Sequence, residues 1–314
     1  MSTGAPASSL LEMRRITKRF PGVIALENVS LSLQGGQVLA LMGENGAGKS
    51  TLMKILGGAH LPDGGEIFID GAAVVLSGIR EAQRLGIALI HQELMLAPNL
   101  DIAANIFLGN EKPGSPLISP LPRTQMNANA AALMARVGLS LPPTTPVSTL
   151  TSGQMQMVEI AKALSHDARI LIMDEPTSSL TAGESEHLFK IIRQLRSEGI
   201  GIIYISHRMD EVLDLADRIT VLRDGRYVGD LRRDEATHGK IVAMMVGREL
   251  SGQYFPSKHE RPPGEEVLVV EDLVIRGAPE GVTFTALRGE ILGFAGLVGS
   301  GRTELMEAIF GATP

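Results

Sequence analysis

The chain has no cysteine and no tryptophan among its 314 residues. The first absence removes disulfides and every thiolate metal site, and it agrees with a reducing, cytosolic setting. Aromatics are scarce, with eight Phe and three Tyr, and the formal net charge is -6. Nucleic-acid binders draw on a basic face and stacking rings, so this composition speaks against nucleic acid as a partner. No apolar run approaches the roughly eighteen residues needed to span a bilayer. The opening stretch MSTGAPASSLLEMRR has neither a basic start nor a sustained apolar segment, and does not read as an export signal. What is left, 44% hydrophobic and 20% charged, is globular composition at a length that suits one large domain or two ordinary ones.

Four short runs are nearly continuous in apolar residues: VLALM (38–42), GIALI (86–90), RILIM (169–173) and GIIYI (201–205). That pattern predicts strands buried on both faces, as in a parallel sheet covered by helices. Between them lie STLMKILGG, GQMQMVEIAKALS and ESEHLFKIIRQLRSEG, which read as helices closed by Gly or polar residues. The alternation indicates an α/β fold. Residues 109–122 are rich in Pro, Gly and Ser and should form a surface loop, and Pro142, Pro143 and Pro146 mark another. Residues 251–265 are polar and proline-bearing, as an interdomain linker would be. Beyond them the sequence repeats itself. A shift of 253 positions lays VSLSLQGGQVLALMGENGAGKSTLM, from Val29, on VTFTALRGEILGFAGLVGSGRTELM, from Val282, without a gap. This is a domain-sized repeat whose second copy has only its first fifty or so residues.

The segment Gly43-Glu44-Asn45-Gly46-Ala47-Gly48-Lys49-Ser50 fits G-x-x-x-x-G-K-[ST] between an expected strand and an expected helix, with Thr51 continuing that helix. Glycines allow left-handed turns that aim backbone N–H groups inward. Lys49 brings a point charge to β- and γ-phosphates, and the Ser50 hydroxyl suits Mg²⁺. RILIMDEP then sets Asp174 and Glu175 at the end of a buried strand. There Asp174 can hold Mg²⁺ and Glu175 can act as general base for an attacking water. Together these motifs indicate a P-loop NTPase but not its class.

The class comes from TLTSGQMQMVEIAKALS. Its Leu150-Thr151-Ser152-Gly153-Gln154 opens a helix shortly before Asp174 and resembles the Leu-Ser-Gly-Gly-Gln signature of ABC-type ATPases. A hydroxyl, a bare backbone and a helix N-terminus suit the γ-phosphate of a nucleotide held elsewhere. Thr151 keeps the hydroxyl; Ser152 replaces a glycine. By that resemblance Gln92 stands at the Q-loop, toward Mg²⁺ and the membrane partner. His207 is the switch histidine of the γ-phosphate, and Phe20 stacks on adenine. Ser178 to Thr181 form the D-loop, where Thr181 replaces the usual aspartate. The resemblance covers nearly the whole chain. IALIHQEL, GQMQMVEIAKALS, YISHRMDEV and GLVGSGRTEL are similar to the tandem ATPase subunits of bacterial monosaccharide importers of the ribose, xylose, galactose and arabinose type, a layout that nucleoside importers and the autoinducer importer share.

The resemblance implies a RecA-like core with a helical subdomain and an antiparallel β subdomain over residues 10–250, the linker at 251–265, and an incomplete second copy over 266–314. It implies ATP hydrolysis that powers monosaccharide import from the cytoplasmic side of the inner membrane. The partners it implies are permease subunits, a sugar-binding protein, and a second ATPase domain or second copy for the closed dimer. The repeat further suggests a natural form about two such domains long. In the second loop Arg302 stands where Lys49 stands in the first. A planar guanidinium is a poor substitute for a compact ammonium among phosphate oxygens, so that loop reads as a weak binder or a structural hinge in a non-hydrolysing site, with the inherited turn of a duplicated αβ unit as the other reading. Two other readings remain open at this point: a soluble tandem ABC ATPase of translation or DNA maintenance, and a fragment that binds ATP without hydrolysing it.

Overall fold

The computed structural model describes residues 9–109, 123–247, 264–275, 280–296 and 300–312. The loop expected at 109–122 and the linker expected at 251–265 lie almost wholly outside them. The chain divides into two compact units, Met1–Leu250 and Ser251–Pro314.

The first unit opens with β1 (Leu11–Phe20) and β2 (Val23–Leu33), an antiparallel pair turned by Pro21 and Gly22. Then come β3 (Val38–Met42), α1 (Lys49–Leu56), β4 (Gly64–Ile69), β5 (Ala72–Val74), α2 (Ile79–Arg84) and β6 (Ile87–Ile90). The helices α3 (Ile102–Phe107), α4 (Arg123–Arg136) and α5 (Ser152–Leu164) pack on one another as a helical layer. The unit closes with β7 (Ile170–Asp174), α6 (Ala182–Ser197), β8 (Gly201–Ile205), α7 (Met209–Leu215), β9 (Arg218–Arg223), β10 (Arg226–Arg232) and α8 (His238–Val246).

Two sheets result. One is antiparallel, in the order β2-β1-β4-β5; the other runs β10-β9-β3-β8-β7-β6, parallel except where β10 pairs antiparallel with β9 at the edge. The unbroken apolar runs now have a cause, because alternate residues of each central strand feed opposite cores. Ile170 and Ile172 of β7, with Ile203 and Ile205 of β8, join α1 and the antiparallel strands in one cluster. Leu171 and Met173, with Ile202 and Tyr204, join α3, α4, α5 and α6 in the other. Each such side chain taken fully from water contributes about 1.5–3 kcal/mol, so a strand of this kind is fixed by both layers at once. The α/β architecture with helical and antiparallel β subdomains is therefore as the sequence implied.

Topology also fixes where chemistry can occur. The segments 43–48, 175–177 and 206–208 follow β3, β7 and β8, three adjacent parallel strands, and Gln92 follows β6. All four thus leave the carboxyl edge of one sheet, the edge at which open α/β sheets bind ligands.

The second unit holds β11 (Glu266–Leu273) and β12 (Val282–Leu287), an antiparallel pair, and α9 (Arg302–Phe310). Shifted by 253 positions, they fall on β1, the later part of β2, and α1. Residues 291–295 should then repeat β3, yet they form no strand and Ile291 is 99% exposed. The reason is pairing. β3 is held on both edges by β8 and β9, and the described residues of the second unit include no counterpart of either. A strand without neighbours leaves its N–H and C=O ladder unpaired and is not stable alone.

Candidate nucleotide site

The loop of residues 43–48 hands β3 to α1 through glycines in left-handed or near-extended backbone. Gly48, at φ 96°, is the N-cap of α1. A Cβ there would stand 2.7 Å from the Ala25 carbonyl oxygen and 2.7 Å from a Leu26 methyl, so the position admits only glycine. Lys49, the first helical residue, folds its ammonium back over the loop and donates to the carbonyl oxygens of Gly43 (2.7 Å) and Glu44 (3.0 Å). Burial lowers its pKa, and the negative charges of Glu175 and Asp174 act against that shift. The cation is therefore half-buried, held by weak acceptors, and in the field of two carboxylates.

Glu175 is the hub of the opposite wall. Its backbone sits at φ 47°, an outlier for a non-glycine residue, pinned where its N–H donates to the Ile205 carbonyl at 2.9 Å. Such a conformation costs on the order of 1–2 kcal/mol and persists only where its surroundings over-determine it. Its two oxygens face different partners: Oε2 accepts from Gln92 Nε2 at 3.3 Å, while Oε1 lies 3.2 Å from His207 Nδ1. Gln92, Glu175 and His207 come from three different strand ends, and the sheet brings them into one contact chain. Beside them Asp174 has its pKa raised, first by burial and then by Glu175, with Lys49 opposing.

The residues 151–154 sit elsewhere. Thr151 is the N-cap of α5, and with Gln154 it forms a reciprocal capping box. Among the described residues no hydrogen bond joins these four to the loop around Lys49. Their partner across space is Glu184 on α6, which accepts from the Thr151 hydroxyl at 3.0 Å and from the Gly153 N–H at 3.2 Å. Thus the loop around Lys49 and the helix that opens at Thr151 stand apart, each with its own hydrogen-bond partners.

Residues 26–178 match the ABC transporter family. The fold agrees with a solved nucleotide-free ATP-binding cassette from an ABC transporter. That likeness has a TM-score of 0.67 at 27% identity, over 75% of this chain and 98% of the cassette. The first unit has the fold of an ABC ATPase cassette. A second solved cassette of an ABC transporter, in its ADP conformation, matches with a TM-score of 0.65 at 27% identity, over 76% of this chain and 99% of that one. Among curated relatives, a putative ribose/galactose/methyl galactoside import ATP-binding protein 3 of Burkholderia cenocepacia is 52% identical over 96% of this chain and 58% of that protein. Ribose import ATP-binding protein RbsA 1 of Burkholderia ambifaria is 51% identical over 100% of this chain and 61% of that protein. The chain thus spans about three fifths of the length of these relatives.

Within the cassette, Phe20 ends β1 half-buried. Its ring meets His60 edge-on at 5.5 Å between centroids, and the Lys18 ammonium lies 5.5 Å from its centre. In the second unit Arg302 is exposed as the first residue of α9, behind Gly301 at φ 82°, while 297–299 lie outside the described residues.

Sequence reasoning missed two residues of the cassette. Glu184 is one; the other is Glu211, fully inside the protein, whose carboxylate accepts from the hydroxyls of Thr177 (2.8 Å), Tyr204 (2.8 Å) and Ser206 (3.0 Å) and pairs with Arg208 at 2.7 Å. It joins the segment after Glu175 to the segment that carries His207. The available signal was an acidic residue on the buried face of a short helix, which is uncommon without buried donors to satisfy it. Glu211→Ala orphans three buried hydroxyls, and we expect it to cost about 3 kcal/mol in urea unfolding. A loss below about 1 kcal/mol would show that the hydroxyls find other partners.

Proposed function

We propose that the chain supplies ATP binding and hydrolysis to an importer of a pentose or hexose, acting peripherally at the cytoplasmic face of the cell membrane. The observation that carries this reading is the Gln92–Glu175–His207 contact chain facing the Lys49 loop. The sugar class is supported by the relatives' names, ribose/galactose/methyl galactoside import and ribose import. Among the described residues no helix is long and apolar enough to cross a membrane, which fits a subunit that works through separate permease subunits and a sugar-binding protein.

In this reading the N–H groups of residues 43–51 cradle the phosphates, Lys49 neutralises the β- and γ-oxygens, and Phe20 stacks on adenine. Ser50, Gln92 and Asp174 would hold Mg²⁺. The donor set suits it, being oxygen throughout, and a half-buried Asp174 pressed upward in pKa by burial and by Glu175 is a carboxylate short of a cation. When bound, the ion supplies charge neutralisation on the phosphate oxygens. Glu175 takes the proton of the attacking water, and His207 bonds the γ-phosphate beside it. Thr151 to Gln154 meet the nucleotide of a partner cassette, either a second ATPase domain or a second copy of this chain. The correspondence of β11, β12 and α9 with β1, β2 and α1 supports reading 266–314 as the start of a second cassette, in which the Arg302 loop is a structural turn.

The test is Mg-ATP turnover by the purified chain, with Arg302→Ala alongside. Turnover that depends on protein concentration, and that Arg302→Ala leaves unchanged, is the expected result. Absence of any ATP binding overturns the nucleotide reading. Binding without turnover at any concentration limits this chain to an ATP-binding fragment.

A further inference from the structure

Glu184 divides its two carboxylate oxygens between two helices. Oε2 caps its own helix α6, accepting from the N–H of Thr181 at 3.0 Å and from its hydroxyl at 2.8 Å. Oε1 is not needed for that cap. It reaches across to the N-terminus of α5 and takes the Thr151 hydroxyl (3.0 Å) and the Gly153 N–H (3.2 Å).

Those two donors are the ones through which the signature would meet a phosphate, and their capacity is countable. Thr151 has a single hydroxyl proton, and its oxygen already accepts from Gln154 N–H, so the proton goes to Glu184 and to nothing else. Gly153 likewise has one N–H. Close approach is built into the backbone, because a Cβ on Gly153 would stand 2.5 Å from Glu184 Oε1. The carboxyl is held below its ordinary pKa, first by the Thr181 N–H and hydroxyl, with Thr151 and Gly153 adding to the shift, so it carries its charge. A cleft of about 450 Å³ lined in part by Thr151, Gly153, Gln154, Glu184 and His187 opens beside the pair and gives an anion a way in.

We propose that Glu184 is an internal anion at the signature that occupies the Thr151 and Gly153 donors and must release both to an incoming phosphate. It is a counterweight to nucleotide at the signature, and the Oε2 cap on Thr181 lets it swing away without unravelling α6. The proposal rests on reading residues 151–154 as the half-site for a phosphate.

Glu184→Gln separates competition from support, since glutamine serves equally in a capping box but carries no charge. The probe is inorganic phosphate titrated into the ¹⁵N-labelled full chain, read at the Gly153 amide resonance, with Gly46 and Gly48 reporting the P-loop separately. Loss of a charge at hydrogen-bond distance from the incoming anion should bring half-saturation at Gly153 to a phosphate concentration about tenfold lower than in the unsubstituted chain. Glu184→Ala should move Gly153 in the same direction while lowering thermal stability through the lost cap. Equal phosphate response in the three proteins, or a Gly153 amide that stays silent in Glu184→Gln, overturns the proposal. The outcomes also separate from those of the importer reading. A silent Gly153 with working ATP turnover removes only the role of Glu184, and a responsive Gly153 without ATP binding removes the importer reading alone.

Discussion

Glu175→Gln should lower Mg-ATP turnover by a factor of about 10²–10⁴, the range that a positioned general base contributes. The substitution isolates chemistry because little else changes. Glutamine has the same length, its amide oxygen can still accept from Gln92, and the backbone bond from residue 175 N–H to Ile205 is untouched. The left-handed φ of 47° is no harder for Gln than for Glu, so stability should stay within about 0.5 kcal/mol. What disappears is a group that accepts a proton, along with one negative charge near the γ-phosphate. Removing that charge should also favour ATP-dependent pairing of cassettes, seen as a larger sedimentation coefficient with ATP than the unsubstituted chain shows. Turnover at more than a tenth of the original rate would sink the assignment of Glu175 as base. A loss of ATP binding in parallel would mean that Glu175 organises the loop and does not act on water.

The parts of this molecule that were legible in the sequence are those in which function or burial forces a local pattern. The strands β3, β6, β7 and β8 were legible because both of their faces are largely buried, which makes nearly every residue apolar. The loop at 43–50 was legible because its glycines and lysine stand at a fixed spacing between a strand and a helix. What stayed hidden is made of contacts between distant segments. Gln92 and Glu175 are far apart in sequence, and only the order of β6 and β7 in the sheet makes them neighbours. Glu184 carried a local sign, the Thr181-x-x-Glu184 capping box, yet that pattern speaks for one carboxylate oxygen and is silent about the other. Glu211 closes a ring of hydroxyls from Tyr204 of β8, Ser206 just after it and Thr177 in the turn after β7, and the distant Thr177 is what residues 204–211 alone do not reveal. Residues 291–295 show the converse. They have strand composition and the position of β3 in the repeat, but pairing decides the outcome, and local propensity yields to it.

Lys49→Ala should weaken ATP binding by about 10²-fold or more, measured by titration calorimetry on the full chain. The size follows from the site. In this structure the ammonium donates to two loop carbonyls, at 2.7 and 3.0 Å, which are neutral acceptors. Phosphate oxygens are charged acceptors, and a hydrogen bond to a charged group is worth about 1.5–3 kcal/mol, or a tenfold change per 1.4 kcal/mol. Two such bonds account for the expected loss. Burial adds to it, because the ammonium is already partly stripped of water and the low-dielectric wall strengthens its attraction to phosphate. The fold should tolerate the change, since alanine is a good first-turn helix residue and the freed carbonyls of Gly43 and Glu44 lie where water reaches them. The contrast with Arg302 is then a direct measure of asymmetry. If one loop binds and the other only turns the chain, Lys49→Ala removes nearly all high-affinity nucleotide, and Arg302→Ala removes none. Unchanged affinity in Lys49→Ala would place the nucleotide elsewhere and overturn the reading of the first loop.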